Sequence, residues 1–370
     1  MELEIDFLPV GEKTQSGDAI VMRFGNLSGT RDDYSVVVID SGFQENGDQV
    51  VNHIKNVYGT DKVDLVISTH PDNDHAGGIP KVLEKLKIGK IWMHKPWEHT
   101  DNIAKLFQKS SVADKQVEQK IIKSLATVKS IEEIAKEKGI EIEEPFTGKI
   151  DQTGKIIVLG PDEDFYKNEL IPNFKCTPEP EEPLMEKLIK GIRGVGEAIK
   201  ELIDEAWNIE TLDEKGSTSA ENNSSVIILL NIDGQHILFT ADAGQPALER
   251  VIKVLDSTNY NYSQLKVVQV PHHGSYRNVN PYILDKIIGS RLEKEDRQSA
   301  KIVVVASISK ELDEKHPSKI VTNAFKRRGG PVHITSGELK YYSIGEAPRK
   351  GLYPNSEPLP FFNKVERHED

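Results

Sequence analysis

One six-residue run, His70-Pro71-Asp72-Asn73-Asp74-His75, constrains this chain more than any other feature. It follows an apolar, β-branched stretch (Val63, Leu65, Val66, Ile67) with the length of a buried strand, and it precedes Ala76-Gly77-Gly78. A turn at the end of such a strand aims alternate side chains at one point. Two imidazoles and two carboxylates crowded there repel or stay unpaired in a dry interior unless a cation compensates them, so the run reads as a metal site. Pro71 stiffens the turn, and the glycines indicate close backbone packing that a solvated loop does not need.

Strand-like runs recur at 20–24, 36–39, 65–68, 90–93, 156–159, 226–231, 236–240, 266–270, 302–306 and 332–335, with helical patterns between many of them. This is an α/β pattern that predicts two mixed β-sheets packed as a sandwich with helices outside, an αββα layering. Asp233-Gly234 predicts a hairpin directly ahead of Asp242, which delivers that carboxylate at a strand end. The 370 residues hold one large core or two domains, and the order of the motifs favours a single catalytic domain over 1–370 with helical insertions at about 100–140 and 179–210. In the second insertion Met185, Leu188, Ile192, Val195, Ile199, Leu202 and Ala206 form an a/d stripe. That stripe packs either against Ile121, Leu125, Val128 and Ile131 of the first insertion or, as a homodimer seam over 185–206, against a second copy. Gly191, Gly194 and Gly196 weaken its start, as in a segment that bends or moves.

The net charge of −12 and a pI near 5.5 give no general attraction for nucleic acid, so a polyanion must be held locally, by metal and a few basic residues. No apolar run approaches the ~18 residues of a membrane span, and the start of the chain lacks a signal-peptide pattern; no membrane partner and a cytoplasmic location are expected. The one cysteine, Cys176, excludes an intramolecular disulfide and suits a reducing compartment.

His-x-Asp-x-Asp-His-x-Gly-Gly resembles the metal-binding signature of the metallo-β-lactamase fold, in which a second His commonly stands where this chain has Asp72. That departure resembles the domain of ComEC-type DNA-uptake proteins. Further segments agree in order: Phe7 to Gly11 as an opening strand, Gly17-Asp18-Ala19, Asp40-Ser41-Gly42, Asn222-Asn223-Ser224-Ser225, Asp242, and Pro271-His272-His273-Gly274-Ser275. The resemblance implies two divalent metal ions, Mn²⁺ or Zn²⁺, with His70 and Asp72 on one, Asp74 and His75 on the other, and Asp242 between them. No His stands at Asn222 to Ser225, where the family supplies one, so the first ion is short of a protein ligand. One of His272 and His273 is a ligand or supports one and the other contacts substrate; His272 is taken as the ligand and His273 as catalytic. A backbone N–H and hydroxyl at Gly274-Ser275 offer a place for a phosphate oxygen. His316, in His316-Pro317-Ser318, either binds substrate phosphate or acts as general acid, or is a surface histidine. Asp40 either orients the metal-binding turn or is a turn carboxylate. Lys326, Arg327 and Arg328 form either a phosphate clamp or a solvated helix end.

Zinc favours imidazole and thiolate, whereas carboxylate-rich sites suit harder ions such as Mn²⁺ or Mg²⁺ as well, and Asp72 in place of an imidazole shifts the site toward oxygen. Two metals make a water acidic and neutralise the oxyanion of attack, with Asp74 as proton acceptor. The expectation is a metal-dependent hydrolase, a phosphodiesterase or nuclease whose partner is a phosphodiester such as DNA. The rivals are a hydrolase of a small substrate (a cyclic nucleotide, lactone or ester) and a non-catalytic binding module on the same fold.

Overall fold

A computed structural model of the chain describes residues 1–12, 15–100, 114–175, 201–311, 316–349 and 357–367. Fifteen strands are seen among them: β1 Glu2–Phe7, β2 Ile20–Gly25, β3 Tyr34–Ile39, β4 Lys62–Ile67, β5 Lys87–Trp92, β6 Glu141–Glu143, β7 Ile156–Gly160, β8 Glu201–Asp204, β9 Ile227–Ile232, β10 Gln235–Phe239, β11 Leu265–Gln269, β12 Val303–Ala306, β13 Val332–Ile334, β14 Lys340–Ile344 and β15 Lys364–Arg367. A seven-stranded sheet runs β14-β1-β2-β3-β4-β5-β6 and a six-stranded sheet runs β13-β12-β11-β10-β9-β7. Both are mixed, because β3 to β6 and β10 to β13 pair in parallel while the remaining neighbours are antiparallel.

Alternation along the strands explains the layering. Leu3, Ile5, Phe7, Ile20, Met22, Val37, Ile39 and Ile67 of the first sheet and Ile228, Leu230, Ile237, Phe239, Val267 and Val305 of the second form one buried cluster between the sheets. Phe7 and Phe239 meet across it, with ring centroids 6.3 Å apart. The opposite faces carry Val36, Val38, Val63, Val66, Leu229, Leu238 and Val268, which pack under helices such as 46–56, 79–85, 245–257 and 319–327. The expected αββα sandwich is present. β9 and β10 form the expected hairpin around Asp233 and Gly234, both at positive φ (50° and 82°), as a tight two-residue turn requires.

Three expectations change. The opening strand is Glu2–Phe7, not Phe7 to Gly11, because Pro9 and then Gly11 at φ 82° lead the chain out of the sheet. Of the expected helix at 179–210, residues up to 200 lie outside those described, and so do Cys176 and most of the proposed dimer stripe; residues 201–204 form a strand paired with β15. The basic run is the third change. Arg327 and Arg328 are 1% exposed, neither a solvated end nor a phosphate clamp. Arg327 donates to the carbonyl oxygens of Ala206, Trp207 and Ile209 and pairs with Glu205, while Arg328 pairs with Glu210 and Asp285. The first insertion is helical as expected, over Asp114–Ser124 and Ala126–Lys138, and buries Ile121, Val128 and Ile131 in the outer core.

Candidate metal centre

The site gathers at the ends of β3, β4, β10 and β11. The chain leaves β4 through Ser68-Thr69-His70 and turns into a short helix, Asn73–Ala76, that carries Asp74 and His75. The glycines after it are needed, since a Cβ at Gly78 would lie 2.3 Å from the Ser41 carbonyl oxygen. Asp242 follows β10 and His272-His273 follow β11. Asp40, Ala241, His272 and His273 all have positive φ (55°, 44°, 47° and 55°), a concentration of unfavourable backbone conformations that typifies functional sites.

Asp242 stands at the centre, 2% exposed. Its Oδ1 lies 3.3 Å from His75 Nε2 and 3.8 Å from His273 Nε2. Its Oδ2 lies 3.8 Å from His70 Nε2 and 3.5 Å from His272 Nε2. Asp74 Oδ2 is 3.7 Å from both His75 Nε2 and His273 Nε2, and Asp72 Oδ2 is 3.9 Å from His70 Nε2. The carboxylate therefore divides the cluster into two halves. Donors about 2.1 Å from a shared tetrahedral ion stand about 3.4 Å apart, close to these separations.

The hydrogen bonds behind the imidazoles decide what their free nitrogens face. His75 Nδ1 donates to Asp40 Oδ2 at 2.9 Å, and His273 Nδ1 to the Ser307 carbonyl oxygen at 2.9 Å. The Thr69 hydroxyl donates to Asp40 Oδ2, so its oxygen accepts from His70 Nδ1 at 3.0 Å. Asn278 uses its amide N–H groups on the carbonyl oxygens of Asp242 and Ala243, which turns its Oδ1 toward His272 Nδ1 at 3.1 Å; Asn222 flanks the same nitrogen at 3.2 Å. In His70, His75 and His273 the Nδ1 thus carries a proton and Nε2 is turned toward Asp242; the Nδ1 of His272 lies between an acceptor, Asn278 Oδ1, and a donor, the Asn222 amide nitrogen, while its Nε2 also faces Asp242. The Nε2 atoms of His70, His75 and His273 and Oδ1 of Asp242 are buried without a hydrogen-bond partner. Orphaned lone pairs around a buried carboxylate are what a divalent cation satisfies, so the donor set fits the metal that the sequence implies.

The electrostatics agree. Burial pushes the Asp242 carboxyl up, but His272, His75 and His273 outweigh it and hold it well below the usual range. Asp74 is likewise pushed up by burial and pulled down further by His75 and His273, to about 2. Burial lowers His75 and His273, yet the carboxylates outweigh it, raising His75 and bringing His273 to about 9. The carboxylates draw positive charge onto the imidazoles where a cation would otherwise supply it.

His70, Asp72, Asp74, His75, Asp242, His272 and His273 therefore come together, and the two consecutive histidines face different halves of the site. His273 lies among the ligand atoms, which within Asp74, His75, Asp242 and His273 are all inside 4.8 Å of one another. His272 takes the first half, the one that lacks a histidine from Asn222 to Ser225. His316 stays outside the cluster, its ring stacked on His272 with centroids 6.0 Å apart. Asp40 is near His70 and His75, but its oxygens are committed to N–H and O–H donors from Thr69 and His75, so it holds ligands in place. The Ser275 amide donates to the His272 carbonyl oxygen, so of the groups expected at Gly274-Ser275 that one is already engaged. Thr69, Ser307, Asn278 and Asp18 were not anticipated as site residues; only Asp18 carried a sequence signal, the Gly17-Asp18 turn.

Residues 31–161 match the model of the metallo-beta-lactamase superfamily. The chain carries a metallo-beta-lactamase superfamily domain. The matched span includes Asp40 and the His70 to His75 run, and the sandwich supplies Asp242, His272 and His273 from beyond it. No curated protein matches the chain significantly. Similar solved structures include a putative metallo-beta-lactamase from Thermotoga maritima (TM-score 0.33, 10% identity, covering 70% of this chain and 92% of that one). They also include a CmlA beta-hydroxylase variant (0.41, 9%, 92% of this chain and 54% of that one) and metallo-beta-lactamase SMB-1 bound to 2-mercaptoethanesulfonate (0.30, 8%, 71% and 78%). At these scores the likeness carries no argument about activity; the metallo-beta-lactamase assignment rests on the matched span and the donor cluster. Among the described residues no helix is long and apolar enough to cross a membrane.

Proposed function

We propose that this metallo-beta-lactamase domain is a two-metal hydrolase of phosphodiesters, with DNA the first substrate to try. The observation that carries the hydrolytic reading is the convergence of four imidazole Nε2 atoms on the two oxygens of Asp242. The phosphodiester reading is supported by the oxygen-rich donor set, in which Asp72, Asp74 and Asp242 accompany the imidazoles, and by the resemblance of Asp72, Asn222 to Ser225 and Pro271 to Ser275 to the ComEC-type domain. His70, Asp72, Asp242 and His272 would hold one ion, and Asp74, His75, Asp242 and His273 the other. Bound there, the ions supply Lewis acidity and make a water acidic near neutral pH.

The chain's own groups do the rest. Asp74, ionised and 27% exposed at its side chain, faces the cleft and takes the proton of the attacking water. Asp40, Thr69, Ser307 and Asn278 hold the imidazole rings so that nothing reorganises during reaction. His316, its ring stacked on His272, would bind a phosphate oxygen of the substrate rather than take part in the proton transfers.

A second reading has its own support. The Thr127 hydroxyl donates to Asn73 Oδ1 at 2.7 Å, and Val128 lines a cavity with His70, Pro71, His94, Tyr166 and Ser224, so the first insertion walls the metal loop. A narrow cleft favours a small ester or cyclic nucleotide. One panel separates the two: metal-loaded protein against single- and double-stranded DNA, RNA, cyclic nucleotides, lactones and a chromogenic phosphodiester. Turnover of DNA that is lost in Asp74→Asn supports the nuclease reading; turnover confined to small substrates supports the second. Silence on every substrate, with both ions bound, leaves the binding module as the better account.

A further inference from the structure

Asp18 is 2% exposed, and its Oδ1 has no hydrogen-bond partner. Its Oδ2 accepts from Gln269 Nε2 at 2.8 Å and lies 3.7 Å from His75 Nδ1. The Asp18 backbone N–H donates to the Asp74 carbonyl oxygen at 3.1 Å, an approach that only glycine at the preceding position permits, since a Cβ there would lie 2.3 Å from that oxygen. Gln269 in turn accepts, through Oε1, the N–H groups of Thr240 and Ala241 at 2.9 and 3.0 Å, the two residues ahead of Asp242. One residue therefore touches Asp74 by its backbone, His75 by its carboxylate and the end of β10 through Gln269.

His75 already gives its Nδ1 proton to Asp40, so Asp18 is not needed to fix that ring's tautomer. What it adds is a second buried carboxylate on the side of His75 away from Asp242, one that burial pushes toward its neutral form and that positive charge at the centre, on His75 and His273 or on a bound cation, keeps ionised. A buried carboxylate with an orphaned oxygen destabilises the protein unless positive charge lies nearby, and such outer carboxylates make the imidazole they face a stronger ligand. We propose that Asp18 is a positioning residue for the Asp74, His75, Asp242 and His273 half of the centre, a carboxylate retained because it strengthens divalent-cation binding there. The inference rests on the cluster holding a cation and is independent of the substrate.

The test uses the full chain, stripped by chelation and titrated calorimetrically with Mn²⁺ alone and Zn²⁺ alone, so no reading depends on turnover. Asp18→Asn keeps the shape and the acceptor for Gln269 while removing the charge. The expected result has three parts: a fall of about 10- to 100-fold in affinity at the tighter site, a melting midpoint of the stripped protein equal to or above wild type, and no added loss of affinity when combined with His75→Ala. Affinity within twofold of wild type overturns the proposal. So does a lowered midpoint of the stripped protein with an equal affinity loss in the His75→Ala background, the signature of a merely structural residue. Asp18→Ser, smaller and also uncharged, is read in the same way if the first variant does not fold; failure of both to fold without metal makes Asp18 structural and likewise overturns the proposal.

Discussion

The two halves of the centre are joined by Asp242 in front and by Asp40 behind, yet they differ in exposure. In one, His75 and His273 are 0% and 5% exposed at their side chains, and their rings are held by Asp40 and the Ser307 carbonyl oxygen. In the other, His70 is equally buried and its ring and that of His272 are tethered too, by Thr69 and Asn278, but Asp72 and His272 are 34% and 29% exposed; in the first half only Asp74, at 27%, is open to that degree. Burial and tethering remove rotamer freedom before a ligand arrives, so less is lost on binding. With both of its imidazoles buried, the first half is expected to hold a divalent ion more tightly than the second, where one imidazole is open to solvent.

The largest effect should come from the shared group. Asp242→Asn is expected to reduce bound divalent ions from two to at most one by elemental analysis and to lower hydrolysis on the order of 10⁴-fold. If two ions still bind with wild-type affinity, Asp242 does not join the halves. Next, Asp74→Asn should cost on the order of 10² to 10⁴ in kcat with an unchanged melt, because it removes the proton acceptor and changes little volume. His316→Ala should do less and move KM more than kcat, as suits a rim residue; steady-state kinetics on the preferred phosphodiester distinguishes them. Turnover near wild type in Asp74→Asn would sink the assigned role.

A smaller effect sharpens the contrast between the halves. Wild type should turn over faster with Mn²⁺ than with Zn²⁺, and Asp72→His should shift that ratio toward Zn²⁺ by about tenfold or more, since it puts nitrogen where oxygen stands. Equal ratios in the two proteins, after chelation and reloading, would show that the exposed half does not set the metal.

The smallest effect concerns a buried charged cluster that needs no metal. Glu4 and Asp6, both 0% exposed, are paired with Arg23, Arg349 and His53. Burial raises Asp6, but hydrogen bonds from His53 and Arg349 outweigh it and hold it below its usual value. A carboxyl with a depressed folded pKa stabilises fully above the unfolded value of about 3.9 and loses that contribution as pH falls through the folded one. The melting midpoint should therefore decline by a few degrees on acidification below about pH 4. Asp6→Asn should flatten that decline, and chelation should leave it unchanged; a decline of equal slope in Asp6→Asn would remove Asp6 from the account.

Much of the site was legible because its ligands are local. His70 to His75 lie on one turn, and the hairpin that carries Asp242 is announced by Asp233-Gly234. The division of His272 from His273 was not legible: adjacent residues diverge here because both adopt positive φ, and nothing in Pro-His-His-Gly states a backbone angle. The ring tethers were equally hidden, since Thr69, Ser307 and Asn278 are polar residues of kinds that occur throughout the chain. The basic run at 326–328 misled for a related reason. Its partners Glu205, Glu210 and Asp285 lie 43 to 122 residues away in sequence, and only burial makes those pairs matter.

The sequence by itself determined the donor types, the alternating strands and the hairpin, because period-two hydrophobicity and turn chemistry act over a few residues. The tertiary structure alone decided which oxygen of Asp242 each histidine faces, which half is buried, and that a carboxylate at position 18 stands behind His75. Those outcomes depend on where two sheets place four loop ends. Distances between loops from separate strands follow from packing over the whole core, and no local pattern encodes them.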